Sequence, residues 1–363
     1  MVLPIIIAFF CLIGLAVLHE YGHFIAAKKF GVKVEEFGIG YPPRIFGKKF
    51  GETIYSINLL PFGAFVKILG EDDRSDDPQS FNSKPFWKKS LIILAGVISF
   101  WLVAIVLLSV VMGLGAPTII EDGEKGNFTD LKVQIIGLAP NSPAQEAGLQ
   151  VGDAIKKFSI LSGGKIGVFT IDKTKELQDL IDENKGKEIT LEIQRSGQII
   201  DVSLTPRVDP PEGEGAVGIA LARTALKSYP WYQAPVEGIK ATGQLTISVL
   251  EGWGIALERV VKRQPTGVQI MGPVGIFGLF AQTSQMGISY FLQFIAIISI
   301  YIAVFNILPI PMVDGGKFLF LVIEKLRGKP MRQKTENGIN AAFFTLLVMV
   351  MFFVTIKDIA QLF

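Results

Sequence analysis

The sequence predicts a polytopic α-helical membrane protein of about four transmembrane helices, with a cytosolic membrane-associated β-hairpin and one extracytoplasmic α+β domain. The first observation behind this class is composition. Of the 363 residues, 50% are hydrophobic and only 19% are charged, whereas soluble proteins carry about 25% charged residues. The second is that the apolar residues cluster in stretches long enough to cross a bilayer. The third is a long region of soluble composition in the middle of the chain.

Four uncharged stretches place the membrane spans. They cover residues 1–18, 90–120, 264–313 and 337–356, and each is close to or above the roughly 18 to 20 residues that a helix needs to cross the hydrocarbon core. The predicted spans are 2–27, 90–116, 287–313 and 339–356. The first lacks a basic leader and a cleavage site, which predicts that it is retained rather than removed as a signal peptide. Segment 264–286 is interrupted by Pro265, Gly267, Gly272 and Pro273, which predicts a re-entrant or membrane-surface loop rather than a fifth span.

Basic residues next to the spans predict the orientation. Lysines and arginines are concentrated in the loops 28–89 and 317–334, and few lie near either terminus. The positive-inside rule therefore places both loops in the cytosol and both termini outside. It also places the region from Pro117 to about Arg263 on the extracytoplasmic side.

Patterning within the loops predicts two folded elements. In the outer region, strands are predicted at 132–138 and 153–160, helices at 142–148 and 174–184, and a hairpin at 188–206 that turns at Ser196 and Gly197. In the cytosolic loop, strands at 34–40 and 53–70 flank glycine- and proline-rich turns at 41–44 and 60–63, which predicts the β-hairpin. The resulting domain plan is 1–116 and 287–363 for the two membrane halves, 117–225 for the outer domain, and 226–286 for a linker helix with the membrane-surface segment.

The two histidines of the chain carry the strongest chemical signal. They are His19 and His23, with Glu20 between them. Positions i and i+4 project from one face of a helix, so both imidazoles can bind one metal ion, and Glu20 can act as general base on a water molecule. A catalytic zinc usually takes three protein ligands, so a carboxylate or Cys11 must supply the third. Cys11 is about 12 Å away along the helix, which leaves Asp314, at the end of the 264–313 stretch, as the outstanding candidate.

Charge and cysteine content exclude other classes. A formal net charge of +2, without a lysine- or arginine-rich run, argues against nucleic-acid binding. Cys11 is the single cysteine, so an intrachain disulfide is impossible.

The motifs resemble those of one protein family. His19-Glu20-Tyr21-Gly22-His23, together with the stretch Asn306 to Gly315 that contains Pro309, Pro311 and Asp314, is similar to the site-2 protease family of intramembrane zinc metalloproteases, in particular the bacterial RseP type. The segment 137–153 resembles the PDZ domains of those enzymes. Residues 61–67 resemble their membrane-entrant hairpin, and residues 272–276 resemble the segment before their third span.

The resemblance implies roles for individual residues. His19, His23 and Asp314 would bind Zn²⁺, and Glu20 would activate the attacking water. Asn306 would contact the substrate or the tetrahedral intermediate, and Pro309 and Pro311 would hold their helix open. Gly63 and Phe65 of the hairpin would bind substrate.

The resemblance also implies partners and a location. The substrates would be single-pass membrane proteins, such as anti-sigma factors or remnant signal peptides, in the bacterial cytoplasmic membrane. The PDZ domain would either bind a C-terminal peptide or exclude bulky substrates. Two departures from the family pattern stand out: Phe100 replaces a frequent asparagine, and only one PDZ segment is present where the best-known enzymes have two.

Two other functions fit parts of the sequence. One is a non-catalytic membrane scaffold with a vestigial metal site, but a structural site needs no base such as Glu20. The other is a metal or proton transporter, but the predicted second and fourth spans lack ionisable residues. Cobalt or iron could occupy the same ligand set as zinc.

Overall fold

The computed structural model describes residues 2–71, 75–122, 124, 127–162, 165–195, 197–264 and 271–360. Its contacts divide the chain into two compact units. The membrane unit comprises Met1–Ser109, Pro235–Ala281 and Gln293–Phe363, and the sheet unit comprises Val110–Ala234 and Gln282–Leu292.

Nine helices and nine strands occur among the described residues. In chain order they are α1 Val2–Lys29, β1 Val34–Phe50, β2 Thr53–Ile68, α2 Phe86–Leu114, β3 Ala116–Ile120, β4 Phe128–Leu138, α3 Pro143–Glu146, β5 Ala154–Ser162, β6 Lys165–Thr170, α4 Thr174–Glu183, β7 Ile189–Arg195, β8 Gln198–Leu204, β9 Ile219–Lys227, α5 Ala234–Val261, α6 Pro273–Met286, α7 Ile288–Ile307, α8 Asp314–Arg327 and α9 Gln333–Ala360.

The four predicted spans are confirmed as helices of sufficient length and hydropathy to cross a membrane. These helices are Ile5–Lys29, Phe86–Leu114, Ile288–Ile307 and Gln333–Ala360. The predicted end of the third span at Val313 is wrong, because α7 stops at Ile307. Pro309 and Pro311 lack amide donors and cannot continue a helix, so they lie in the turn that leads to α8.

The prediction for segment 264–286 is wrong in part, since Pro273–Met286 is a regular helix. Pro265 and Gly267 lie outside the described residues. Proline is favoured in the first turn of a helix, and the Asp358 carboxylate of α9 accepts a hydrogen bond from the Gly275 amide at 2.8 Å. A methyl group on Gly272 would lie 2.8 Å from the same carboxylate. These glycines therefore allow an acidic side chain to cap the start of α6.

The hairpin of β1 and β2 is more folded than a simple two-stranded ribbon. The N-terminal part of β1 pairs antiparallel with residues 64–68, as in Phe37 with Val66, and it also pairs in the parallel sense with residues 54–57. The C-terminal part of β1, residues 44–50, pairs with residues 53–58. The chain thus reverses near 41–44 and 60–63, where turns were predicted, and the pairing of residues 44–50 was not predicted.

The sheet unit forms an antiparallel sheet in the order β3-β9-β4-β5-β7-β8, with β6 paired to β5. The predicted strands at 132–138 and 153–160, the helices at 142–148 and 174–184 and the hairpin at 188–206 are confirmed with small shifts of their ends. Ser196 of the predicted turn lies outside the described residues. Strands β3, β6 and β9 were not predicted.

Two carboxylates fix loops of the sheet unit. Asp153, which is 1% exposed, accepts hydrogen bonds from Arg195 Nε and Nη2, both at 2.7 Å. Asp122 accepts hydrogen bonds from the Thr174 hydroxyl and from the Thr174 and Lys175 amides at the start of α4. Burial would raise the pKa of Asp122, but these donors outweigh it and hold the pKa below its usual value.

Candidate metal centre

The two histidines lie on one face of α1. Their Nε2 atoms are 3.3 Å apart. The His23 side chain is buried, and its Nδ1 lies 2.9 Å from the Ile92 carbonyl oxygen of α2. A carbonyl can only accept, so Nδ1 carries the proton and donates it. This leaves the lone pair of Nε2 free for a metal ion.

The turn between α7 and α8 brings Asp314 to the histidines. Asp314 is the first residue of α8, behind Val313 in extended conformation. Methyl groups on Gly315 and Gly316 would approach the Leu308 and Ile310 carbonyl oxygens to 2.1 Å. The turn is so tight that only glycine fits after Asp314.

Three potential ligand atoms form a nearly equilateral triangle. Asp314 Oδ2 lies 3.4 Å from His19 Nε2 and 3.3 Å from His23 Nε2, and the two Nε2 atoms are 3.3 Å apart. Ligands at about 2.0 to 2.1 Å from a tetrahedral zinc ion lie about 3.3 to 3.4 Å from each other. Asp314 Oδ2 is buried and has no hydrogen-bond partner among the described residues. The geometry and the donor set therefore fit zinc.

Helix α2 packs against this triangle of ligand atoms, and the residue at the point of contact is Gly96. A methyl group on Gly96 would lie 2.1 Å from His23 Nε2 and 2.7 Å from His19 Cε1. In the other direction, a methyl group on Gly22 would lie 2.5 Å from the Ala95 carbonyl oxygen. Small residues on both helices allow close backbone approach, as is common between membrane helices.

Comparisons with known proteins identify the family of the chain. The sequence profile of peptidase family M50 matches residues 7–350. The chain belongs to peptidase family M50. Similar M50 proteins include a putative zinc metalloprotease of Clostridium perfringens, 35% identical over 98% of both chains. Another is the regulator of sigma-W protease RasP of Bacillus subtilis, 28% identical over 99% of both chains. The chain is thus a zinc-dependent metalloendopeptidase of the site-2 protease type, the family to which its motifs pointed.

Glu20 lies beside the triangle of ligand atoms but is not part of it. Its side chain is half-buried on the turn of α1 between the two histidines. Lys317 and Glu71, which pair at 2.6 Å, interact electrostatically with Glu20. Burial raises the pKa of the Tyr41 hydroxyl in the hairpin, and the negative charge of Glu20 adds to this effect. Among the described residues, the potential ligand atoms that lie within 4.8 Å of one another belong to His19, His23 and Asp314, and Glu20 is not in this group.

The residues predicted to contact substrate lie in three parts of the structure: at the end of α7, in the turn after α7, and in the hairpin. Asn306 Nδ2 donates to the Ile302 carbonyl oxygen one turn earlier, at 2.9 Å. Pro309 and Pro311 lie in the turn after α7 rather than inside a helix. Gly63 adopts φ +95° at a bend of the hairpin, and Phe65 stacks on Tyr41 with ring centroids 6.1 Å apart.

The sequence did not reveal the structural roles of two residues that pack against the histidine ligands. Gly96 gave no signal of its own, because a glycine in an apolar span has many explanations. Phe100, noted as a departure from the family pattern, stacks on the His19 ring with centroids 4.8 Å apart and planes at 19°. It therefore supports the imidazole by packing in place of a polar contact.

Proposed function

We propose that the chain hydrolyses peptide bonds in or next to the transmembrane segments of single-pass membrane proteins. In this proposal His19, His23 and Asp314 hold the zinc ion, and Glu20 is the general base. The triangle of ligand atoms with edges of 3.3–3.4 Å carries the proposal, because both histidines lie on span α1 and Asp314 follows the turn at the end of span α7. Anti-sigma factors and remnant signal peptides are the substrate classes we expect.

The chain's own residues account for the proton transfers. His19, His23 and Asp314 would hold a zinc ion, whose positive charge would polarise the scissile carbonyl and make water acidic. Glu20 takes a proton from the attacking water and later passes it to the leaving amine. Asn306 Nδ2 retains one donor hydrogen beyond its bond to Ile302, and this hydrogen is available to the developing oxyanion.

The hairpin offers a strand edge to the substrate. A transmembrane helix must unwind before its amides can be reached, and its backbone groups then need partners in a dry site. Residues 64–68 pair on one side with β1, and no other described strand pairs with them. We propose that an extended substrate segment adds to this edge, with Gly63 and Phe65 at its start.

A purified-enzyme assay tests the function. The full-length protein in detergent is incubated with tagged single-pass substrates, one derived from an anti-sigma factor and one from a signal peptide. We expect cleavage within the apolar segment of at least one substrate, and complete loss after treatment with a zinc chelator that is reversed by added zinc. Cleavage that persists in the chelator would contradict the zinc mechanism. Zinc binding without cleavage of either substrate would favour the non-catalytic scaffold.

The sheet unit has a groove suited to a peptide. The groove lies between α4 and the start of β9, and its lining includes Lys175, Asp179, Asp182, Ile219 and the loop 215–218. We propose that this PDZ-like groove and both chain termini face the extracytoplasmic side, and that the groove binds the C-terminus of a substrate already shortened outside the cell. The alternative is a size filter that acts by bulk alone.

Peptide chemistry separates the two roles of the groove. Fluorescent peptides with a free C-terminal carboxylate and with an amidated C-terminus are titrated into the full-length protein. Binding to the groove predicts that amidation weakens affinity at least about tenfold, because it removes a charge-assisted hydrogen bond. Equal affinity of the two peptides, or no binding of either, would leave the size filter as the role of the unit.

A further inference from the structure

Tyr41 of β1 lies where the hairpin approaches α1. A methyl group on Gly63, at a bend of the hairpin, would lie 3.9 Å from the Tyr41 hydroxyl oxygen and 4.0 Å from the Ala16 Cβ of α1. Because glycine has no side chain, the tyrosine ring and the helix come close together at this point. The Tyr41 hydroxyl is therefore beside α1, near the level of Ala16.

Ala16 lies on the face of α1 that carries the proposed general base. Glu20 is four residues beyond Ala16, so both side chains project from one face of the helix, about 6 Å apart along its axis. A second observation agrees with this placement. The negative charge of Glu20 acts on the Tyr41 hydroxyl, and such interactions weaken with distance. The hydroxyl therefore lies in the neighbourhood of the Glu20 carboxylate.

The Tyr41 ring is held in place, but its hydroxyl has no partner among the described residues. The ring stacks on Phe65 with centroids 6.1 Å apart and planes at 19°, and the Tyr41 backbone is paired with Leu60. The residue is 46% exposed, and no described residue accepts a hydrogen bond from its hydroxyl. A hydroxyl that is kept from bulk water normally finds a partner. This donor is thus fixed in position and available to a bound molecule.

The position of Tyr41 relates it to the substrate path of the proposed protease. Its ring contacts Phe65, which belongs to the strand edge 64–68 where we propose that substrate adds. Its hydroxyl approaches Glu20, which must lie close to the scissile bond. A substrate segment that pairs with the edge and brings its scissile bond to Glu20 would therefore pass the Tyr41 hydroxyl.

Peptide hydrolysis needs donors at this place. The tetrahedral intermediate carries a negative oxygen, which preorganised hydrogen-bond donors stabilise. Histidine supplies no such donor here, because both histidines of the chain are assigned to the metal, and Lys317 is paired with Glu71. We propose that Tyr41 is a catalytic residue whose neutral hydroxyl donates a hydrogen bond to this oxyanion, together with Asn306. The proposal rests on the proteolytic function proposed above.

The hydroxyl keeps its proton throughout the reaction. Tyrosine ordinarily has a pKa of about 10, and burial and the charge of Glu20 raise the pKa of Tyr41 further. Tyr41 is therefore neutral at physiological pH and acts as a hydrogen-bond donor. The proton transfers remain with Glu20.

Two conservative variants of the hairpin test the role of the hydroxyl. Tyr41→Phe removes the donor and retains the ring that stacks on Phe65. Tyr55→Phe is the matched control, because its ring packs on Phe24 of α1 at 6.1 Å and the same single atom is removed. For each full-length, zinc-loaded variant in detergent, kcat and KM are measured with the single-pass substrate that the wild type cleaves. Zinc content is measured in parallel.

Inhibitor binding provides a readout that a structural role would not move. A phosphinic analogue of the scissile bond carries a negative tetrahedral group that mimics the oxyanion, whereas the product peptide does not. We expect kcat of Tyr41→Phe to fall about 10²-fold, the usual effect of removing one oxyanion donor. KM should change by less than about threefold, as for an interaction made only in the transition state. The affinity for the phosphinic analogue should fall at least about tenfold, with that for the product peptide unchanged. Tyr55→Phe should behave as the wild type, and both variants should retain one zinc ion per chain.

Other outcomes overturn the proposal in distinguishable ways. If the wild type cleaves its substrate and kcat of Tyr41→Phe stays within about tenfold of it, the hydroxyl is not an oxyanion donor. The same conclusion follows if kcat falls but the phosphinic analogue binds as tightly as before. Loss of zinc from Tyr41→Phe, or an equal fall of kcat in Tyr55→Phe, would assign the tyrosines a structural role. Absence of zinc-dependent cleavage by the wild type would overturn the proposed function, and this proposal with it.

Discussion

Replacement of Glu20 by glutamine is expected to abolish peptide-bond cleavage while leaving zinc bound. The ligand atoms that can hold the ion come from His19, His23 and Asp314, so the substitution removes no ligand. It does remove the carboxylate that accepts the proton from water, and positioned general bases contribute about 10²- to 10⁴-fold to rate. We therefore expect the initial rate of cleavage to fall by at least about 10³-fold, with one zinc ion still bound per chain.

The matched variant for this measurement is His23→Ala, which removes a ligand instead of the base. Cleavage should be lost in both variants, but zinc content should fall only in His23→Ala. The assignment would be wrong if Glu20→Gln retained more than about a tenth of the wild-type rate. A loss of zinc from Glu20→Gln would place Glu20 in the coordination sphere instead.

The three metal ligands could be predicted from the sequence because each one belongs to a pattern within a single segment of the chain. His19 and His23 share a helix face through their i, i+4 spacing. Asp314 is the first charged residue after the uncharged stretch 264–313. Gly96 belongs to a different span, and only the crossing of α1 and α2 gives it a role. No pattern within one segment reveals how closely two segments approach, so that residue required the structure.

The same distinction applies to the fold: features within one segment were predicted, and contacts between distant segments were not. Long apolar stretches determine the existence of spans, but not their ends. The third span was extended to Val313 because no charge precedes Asp314, whereas the backbone stops being helical at Ile307. Strand β9 was missed because its partners β3 and β4 are far away in sequence, so its pairing is decided by the assembled sheet. Helix α6 was missed because its glycines look unfavourable without the distant carboxylate of Asp358.

Replacement of Gly96 by alanine is expected to remove zinc from the enzyme. The added methyl group would lie 2.1 Å from His23 Nε2 and 2.5 Å from His23 Cε1, far inside van der Waals contact. His23 has little room to move, because it is 7% exposed and its Nδ1 lies 2.9 Å from the Ile92 carbonyl oxygen. The ring must rotate or the helices must separate, and either change breaks the triangle. Disturbing groups that orient metal ligands costs about 10- to 100-fold in affinity, and we expect a direct clash to reach or exceed the upper figure.

Metal competition with a fluorescent chelator measures that affinity, and Gly14→Ala is the control. It places the same methyl group on α1, where nothing lies within 4 Å, so its zinc affinity and cleavage rate should equal those of the wild type. Circular dichroism separates loss of metal from loss of fold, since displacement of one imidazole leaves the helices intact. Wild-type zinc affinity in Gly96→Ala would show that α2 does not confine the histidines. The close approach of α1 and α2 would then have no part in building the site.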